Sequence, residues 1–123
     1  MSDSDQADFL SPGSATLDDF HAIDMRVGRV VTVEAFPQAR KPAYQLTIDF
    51  GRHGLRRSSA QLPPTYPDPG VLVGRLVIAV VNFAPRNIAG FLSQVLVLGA
   101  LPGDGSIPLL SVDPGARPGD SVG

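Results

Sequence analysis

The sequence has no cysteine, few aromatic side chains and no long apolar run. Without cysteine, the chain has no disulfide, no thiolate nucleophile and no sulfur ligand for a metal. No stretch approaches the roughly 20 apolar residues that a membrane span requires. The first residues, MSDSDQADFLSPGS, lack the basic and apolar regions of a signal peptide. We therefore expect a soluble, cytoplasmic chain that does not insert into a membrane.

Positive charge is missing from the first part of the chain. Residues 1–24 contain six aspartates and neither lysine nor arginine, whereas all ten basic side chains lie in residues 25–123. Between Arg26 and Arg86, nine basic side chains accompany only three acids. Such a cationic body suits polyanionic partners. The alternative is a solvated surface on which the two signs are separated by chance.

The length of 123 residues indicates one domain. Residues 1–15, which are rich in serine, aspartate, glycine and proline, predict a disordered acidic leader, and residues 16–123 predict the folded domain. Thr16, with Asp19 three residues later, predicts a capping box and a short helix over about 17–22.

Alternating apolar residues predict strands in the rest of the chain. We interpret residues 25–35, 44–50, 55–61, 75–83 and 93–100 as strands, with a last short strand at 108–112. Gly28 inside the first strand predicts a bulge or a close backbone approach. The four prolines of residues 62–74 make that segment a connector, with at most one helical turn.

Short strands joined by glycine- and proline-rich turns predict an all-β protein. A three-stranded meander, a long connector and two further strands match the five-stranded Greek-key barrel of the OB-fold. A short N-terminal helix and a C-terminal extension complete the predicted fold. The fourth and fifth strands are apolar at successive positions, so we expect another element to cover their outer side.

Catalytic residues are not expected. His21 and His53 lie in the predicted helix and in a turn, and no acid is spaced to orient either imidazole. The sequence has no nucleophile elbow, no phosphate loop and no convincing set of metal ligands. We therefore predict a chain that is not an enzyme and that carries neither a metal nor a cofactor.

Binding residues are better indicated. OB barrels bind ligands on the face of the second and third strands, between the loop that joins strands 1 and 2 and the loop that joins strands 4 and 5. These positions carry groups that bind phosphates or base edges, namely Arg40, Lys41, Arg56, Ser58, Ser59, Gln61, Asn82 and Arg86. The alternative is that the third strand is an exposed edge that its charges keep soluble.

Apolar residues accompany these polar ones. Phe36, Ile88, Phe91 and Leu92 lie in or near the same loops. Aromatic side chains at such places stack on bases. They equally form an apolar contact patch for a polypeptide or the seam of a dimer. The segment between strands 4 and 5 is therefore predicted to be a binding loop.

The stretches FHAIDMRVGRVVTVEAFPQARKPAYQLTIDFG, RSSAQ and VIAVVNFAPRNIAGFLSQVLVLGA resemble the CsaA family of secretion chaperones. That family belongs to a wider group of tRNA-binding domains, which also occur as appendages of methionyl- and phenylalanyl-tRNA synthetases. The resemblance runs from about Phe20 to the C-terminus. It implies an OB-fold homodimer that binds unfolded or presecretory polypeptides, or tRNA.

The same resemblance implies a set of ligand-contacting positions, which are Arg40, Ser58, Ser59, Gln61, Asn82, Pro85, Arg86, Ile88, Phe91 and Ser93. The sequence departs from the family at Gln45, Asn87 and Leu92, where basic residues are common. Fewer cations release fewer counterions from a polyanion. These departures favour polypeptide over tRNA as the ligand.

Overall fold

The computed structural model describes residues 8–123, and the first seven residues of the predicted leader lie outside that range. Residues 8–16 are exposed throughout. The predicted helix is present as α1, Leu17–His21, with the predicted capping box: Asp19 N donates to Thr16 Oγ1 at 3.1 Å and Thr16 N donates to Asp19 Oδ2 at 2.8 Å. No helix found in residues 8–123 has the length and apolarity needed to cross a bilayer.

The strands form a nearly closed antiparallel barrel, which confirms the predicted OB-type fold. The order in the main sheet is β3-β2-β1-β4-β7, and β5 and β6 form a separate hairpin. The bounds are β1 Met25–Ala35, β2 Tyr44–Asp49, β3 Leu55–Ala60, β4 Leu76–Val80, β5 Arg86–Ile88, β6 Phe91–Ser93 and β7 Leu96–Val97.

The core follows the predicted alternation of β2. Tyr44, Leu46 and Ile48 are buried, as is Phe50 just beyond the strand, while the residues between them are only partly buried. The proline-rich connector adds Leu62 and Leu72 to the same cluster, and its predicted helical turn is the 3-10 turn Pro69–Leu72. The connector therefore closes one end of the barrel core.

Gly28 marks a close approach between β1 and the core. A Cβ at this position would lie 2.5 Å from Ile48 Cγ2 and 2.8 Å from Phe50 Cε1. The bulge of β1 lies elsewhere, between Val30 and Thr32, where the register with β2 shifts. Residues 25–29 of β1 pair with β4 and residues 29–35 pair with β2, so β1 joins these two strands of the sheet.

The later strands are shorter than predicted. β4 is buried at four successive positions, 77–80, as its apolar sequence predicted, but the strand ends there. β7 has two residues, and Ser93 belongs to the hairpin instead. The strand predicted at 108–112 is reduced to a bridge between Gly99 and Leu109. Pro108 beside that bridge has no N–H to extend the pairing.

The C-terminal extension runs along the first residues of β1. Val27 N donates to Asp120 O at 2.9 Å, and Val122 N donates to Met25 O at 2.9 Å. Arg26 adds a side-chain bond from its Nη1 to Gly119 O at 3.1 Å. The C-terminal residues therefore lie against the first strand of the barrel.

Candidate binding groove

The segment between β4 and β7, which the sequence predicted to be a binding loop, folds as the hairpin of β5 and β6. Its tip is Ala89 and Gly90, with φ angles of 49° and 85°. Two central residues with positive φ define the type I′ turn that matches the twist of paired strands. Asn87 supports this turn, because its Oδ1 accepts from Gly90 N at 2.9 Å. Asn87 is therefore occupied by a structural contact at the hairpin tip.

Side chains join this hairpin and the residues after it to the outer edge of β3. Ser59 N donates to Ser93 Oγ at 3.0 Å, and Arg57 N donates to Gln94 Oε1 at 2.9 Å. Gln94 N returns a bond to Arg57 O at 2.7 Å. Ser58, which is buried, donates to Val95 O at 3.0 Å. Two predicted ligand contacts, Ser58 and Ser93, thus close the barrel.

A small second core ties the hairpin to the loop between β1 and β2. The rings of Phe36 and Phe91 lie 5.4 Å apart and are only 4% and 6% exposed, with Ala43 packed against them. The Arg57 guanidinium lies 4.3 Å from the Phe91 ring centroid. Phe36 and Phe91 are therefore internal members of the predicted apolar patch. Its accessible members are Leu92, which is about half exposed, and the partly buried Ile88.

These contacts frame a groove of about 680 Å³ between that loop, the end of β3, β5 and β7. Six predicted site residues line it together: Arg40, Lys41, Ser59, Gln61, Arg86 and Ile88. Apolar side chains supply much of the remaining wall, namely Leu96, Val97 and Ile107. No acidic side chain lines the groove among the residues that the structure describes. Its cations therefore favour a ligand that carries negative charge.

Arg56 and Asn82 are also outside the lining of this groove. Arg56 lines a separate cavity of about 140 Å³ with Phe50 and His53. Asn82 bridges the segment after α1, because its Oδ1 accepts from Asp24 N at 2.9 Å and its Nδ2 donates to Ala22 O at 2.8 Å. The Asn82 side chain therefore holds the segment after α1 in place.

Several residues of the groove lining were not predicted from the sequence. Leu96 and Val97 were interpreted only as part of an apolar strand, and Ile107 follows a loop with no distinctive pattern. On that loop, the Ser106 hydroxyl and then the Ser106 backbone N–H donate to Asp104 and lower the pKa of its carboxyl. This carboxylate shapes the turn that leads to Ile107.

A second, shallower groove of about 350 Å³ lies on the other side of the Phe36–Phe91 contact. Arg57 and Gln45 line it, and their side chains approach to 3.5 Å. The alternation of inward and outward side chains along β2 and β3 could have predicted this pair. Gln45 and Arg57 both lie at outward positions, whereas the buried residues of these strands point inward.

The chain is a small OB-type barrel with a cationic groove, and comparison with known proteins identifies its family. Residues 25–121 match the family described as "Putative tRNA binding domain". The chain belongs to this family. The solved structures that it resembles include CsaA chaperones from Bacillus anthracis (42% identity, TM-score 0.85) and Picrophilus torridus (46% identity, TM-score 0.81). The first match covers 90% of this chain and 100% of the other; the second covers 89% and 99%.

The similarity also extends to much longer enzymes. The chain is 46% identical over 110 residues to the methionine–tRNA ligase of Neisseria meningitidis and 43% identical over 113 residues to methionine–tRNA ligase 1 of Sorangium cellulosum. These matches cover 89% and 92% of this chain but only 16% of each ligase. The similarity therefore concerns one domain of those proteins.

Replacing Ser93 with alanine tests the closure of the barrel. The substitution leaves the Ser59 N–H without its acceptor, so we expect the free energy of unfolding to fall by about 1–3 kcal/mol. Urea unfolding measures this loss. The control is Ser11→Ala at an exposed position, which should change the stability by less than about 0.5 kcal/mol. Equal urea midpoints for Ser93→Ala and the unmodified chain would contradict the assigned role.

Proposed function

We propose that this chain is a chaperone-like protein that binds segments of unfolded or presecretory polypeptides in the cytoplasm, without ATP and without catalysis of its own. The observation that supports this best is the mixed character of the groove. Cationic groups of Arg40, Lys41 and Arg86 stand beside apolar walls that include Ile88 and Leu96. An extended polypeptide offers both apolar side chains and polar backbone oxygens to such a surface.

The strength of these contacts suits a reversible binder. Leu96 is 48% exposed, and Ile88 is partly buried. Covering the exposed half of such a side chain gains about 1 kcal/mol. Several such contacts hold a segment and still release it by simple dissociation, so the mechanism needs no nucleotide.

The relatives support the same proposal. The two structures from Bacillus anthracis and Picrophilus torridus are named CsaA chaperones, and they match this chain along nearly their whole length. Aromatic side chains are also absent from the lining of the larger groove in residues 8–123. Bases of a nucleic acid would therefore find no ring to stack on there.

We further propose that the chain works as a homodimer. Helix α1 buries none of its residues, and Leu17 and Phe20 are 70% and 40% exposed. A helix of five residues is unstable without packing. Residues after α1 and at the C-terminus share an adjacent groove of about 490 Å³ with Phe20, including Ile23, Met25 and Val122. A second copy that covers this face would bury these side chains.

Binding of tRNA is a second candidate function. The family match supports it, as does the absence of acidic neighbours in the groove lining among residues 8–123. Arg57 on the outer face adds a further cation within the same region of the molecule. A backbone of phosphates would be held by these cations through charge rather than through base contacts.

The polypeptide proposal is tested with the double variant Arg86→Ala/Ile88→Ser. Loss of one cation and one apolar contact should weaken binding of a fluorescent, unfolded model polypeptide by about tenfold. The same variant should lose protection of a chemically denatured client against aggregation, measured by light scattering. Val73→Ser, an exposed apolar residue outside the groove lining, is the matched control. A client that aggregates equally fast with and without the unmodified protein would overturn the proposal.

The tRNA candidate makes a different prediction, which concerns salt. With about three phosphate contacts, log K should fall with log salt concentration at a slope of about −3. Arg86→Ala should reduce that slope by about 1, whereas the exposed Arg117→Ala should leave it unchanged. Fluorescence titration of labelled tRNA at several salt concentrations measures both slopes. No binding at low salt would rule this candidate out.

The dimer is tested by mass in solution. The unmodified chain should scatter light as a particle of twice the mass of one chain, 12.9 kDa. Leu17→Ser/Phe20→Ser should shift the mass toward that of one chain, because it removes the exposed apolar side chains of α1. The control Val73→Ser should keep the dimer mass. A monomer mass for the unmodified chain over the micromolar range would disprove the dimer.

A further inference from the structure

The N-terminal leader carries an apolar pair that the fold does not use. Phe9 and Leu10 are 100% and 82% exposed, and Asp8 precedes them. In the sequence, Asp3 and Asp5 add two more negative charges ahead of this pair, and residues 1–24 contain no basic side chain. The leader is therefore a short segment that combines negative charge with a phenylalanine and a leucine.

The larger groove has the complementary chemistry. Arg40, Lys41 and Arg86 line it without an acidic side chain among the described lining residues, and Ile88, Leu96 and Ile107 supply apolar wall. The groove beside α1 is less suitable for an acidic segment. It contains Asp24, which already pairs with Arg26 at 2.7 Å. Charge therefore directs an acidic, apolar segment to the groove framed by the hairpin.

We propose that Asp8, Phe9 and Leu10 of the leader dock in this groove as a built-in competitor, so that an external polypeptide binds only by displacing them. The proposal rests on the proposed function of the groove as a polypeptide site. It also defines the external segments that compete best, which are those that combine acidic with aromatic or aliphatic side chains. Segments rich in lysine or arginine are disfavoured by the same three cations.

Because the leader is tethered to the rest of the chain, a weak contact with the groove is sufficient for it to compete with an external polypeptide. Residues 11–16 separate Leu10 from α1. In the structure they contain a turn in which Ser14 N donates to Ser11 O at 3.0 Å, and once this turn opens the six residues span up to about 20 Å. A segment on a short flexible tether has an effective concentration on the order of 1 mM. A leader whose free peptide binds with a Kd of about 100 μM would therefore occupy its own groove most of the time, and would raise the apparent Kd of a competitor about tenfold.

The experiment compares the full-length chain with its Phe9→Ser/Leu10→Ser variant. Both positions are exposed, so the substitutions leave the fold intact. The probe is a fluorescein-labelled synthetic peptide of residues 1–12, and its Kd is measured by fluorescence anisotropy. We expect the variant to bind this probe about tenfold more tightly than the unmodified chain, and Val73→Ser to bind it like the unmodified chain. Adding Arg86→Ala to the leader variant should remove the gain.

The outcomes separate this inference from the proposed function. If the unmodified chain and the leader variant protect a denatured client equally well and bind the probe with equal affinity, the leader does not occupy the groove and the inference is wrong, while the polypeptide function stands. If neither chain protects the client or binds the probe, both the function and the inference are wrong. Tighter probe binding together with stronger client protection by the leader variant supports the inference.

Discussion

The hydrogen bonds that the outer edge of β3 donates to the side chains of Ser93 and Gln94 are the contacts on which the geometry of the groove depends. β3 pairs with β2 along one edge, and a buried backbone group left without a partner on the other edge would cost about 1–3 kcal/mol. The side chains of Ser93 and Gln94 supply acceptors for Ser59 N and Arg57 N on this edge, where β3 is not paired with another strand. The hairpin of β5 and β6 is not a strand of the main sheet, so side-chain bonds provide much of the closure at this edge.

The buried ring pair of Phe36 and Phe91 helps to shape the groove beside that closure. It fixes the loop that carries Arg40 and Lys41 against the hairpin that carries Arg86. Like charges held in one groove repel each other, and screening by water reduces this repulsion without removing it. The packing of the two rings thus keeps Arg40, Lys41 and Arg86 close together, although their like charges repel one another. An anionic group that enters the groove would reduce the repulsion between these cations. This reduction would contribute to the free energy with which the group binds.

Much of the fold was predictable because its signals are local. The capping box at Thr16 and the alternation of β2 each depend on residues a few positions apart, and both are present as predicted. The hairpin was missed because its turn places Ala89 in the left-handed region, where glycine or asparagine is usual. The bonds of Ser58 and Ser93 within the barrel could not be predicted, because a sequence does not reveal which face of a strand is covered by a distant segment. For the same reason, nothing near Ile107 in the chain indicated a groove wall.

The pairing of the C-terminal extension with the start of β1 has a consequence for which part of the molecule can change without changing the groove. Val122 N donates to Met25 O, so the C-terminal extension and the first strand hold each other in place. The groove is built from the β1–β2 loop, the end of β3, the hairpin and β7, and none of its lining residues belongs to this junction. Substitutions confined to this junction therefore leave the walls of the groove unchanged, because the two regions share no residue.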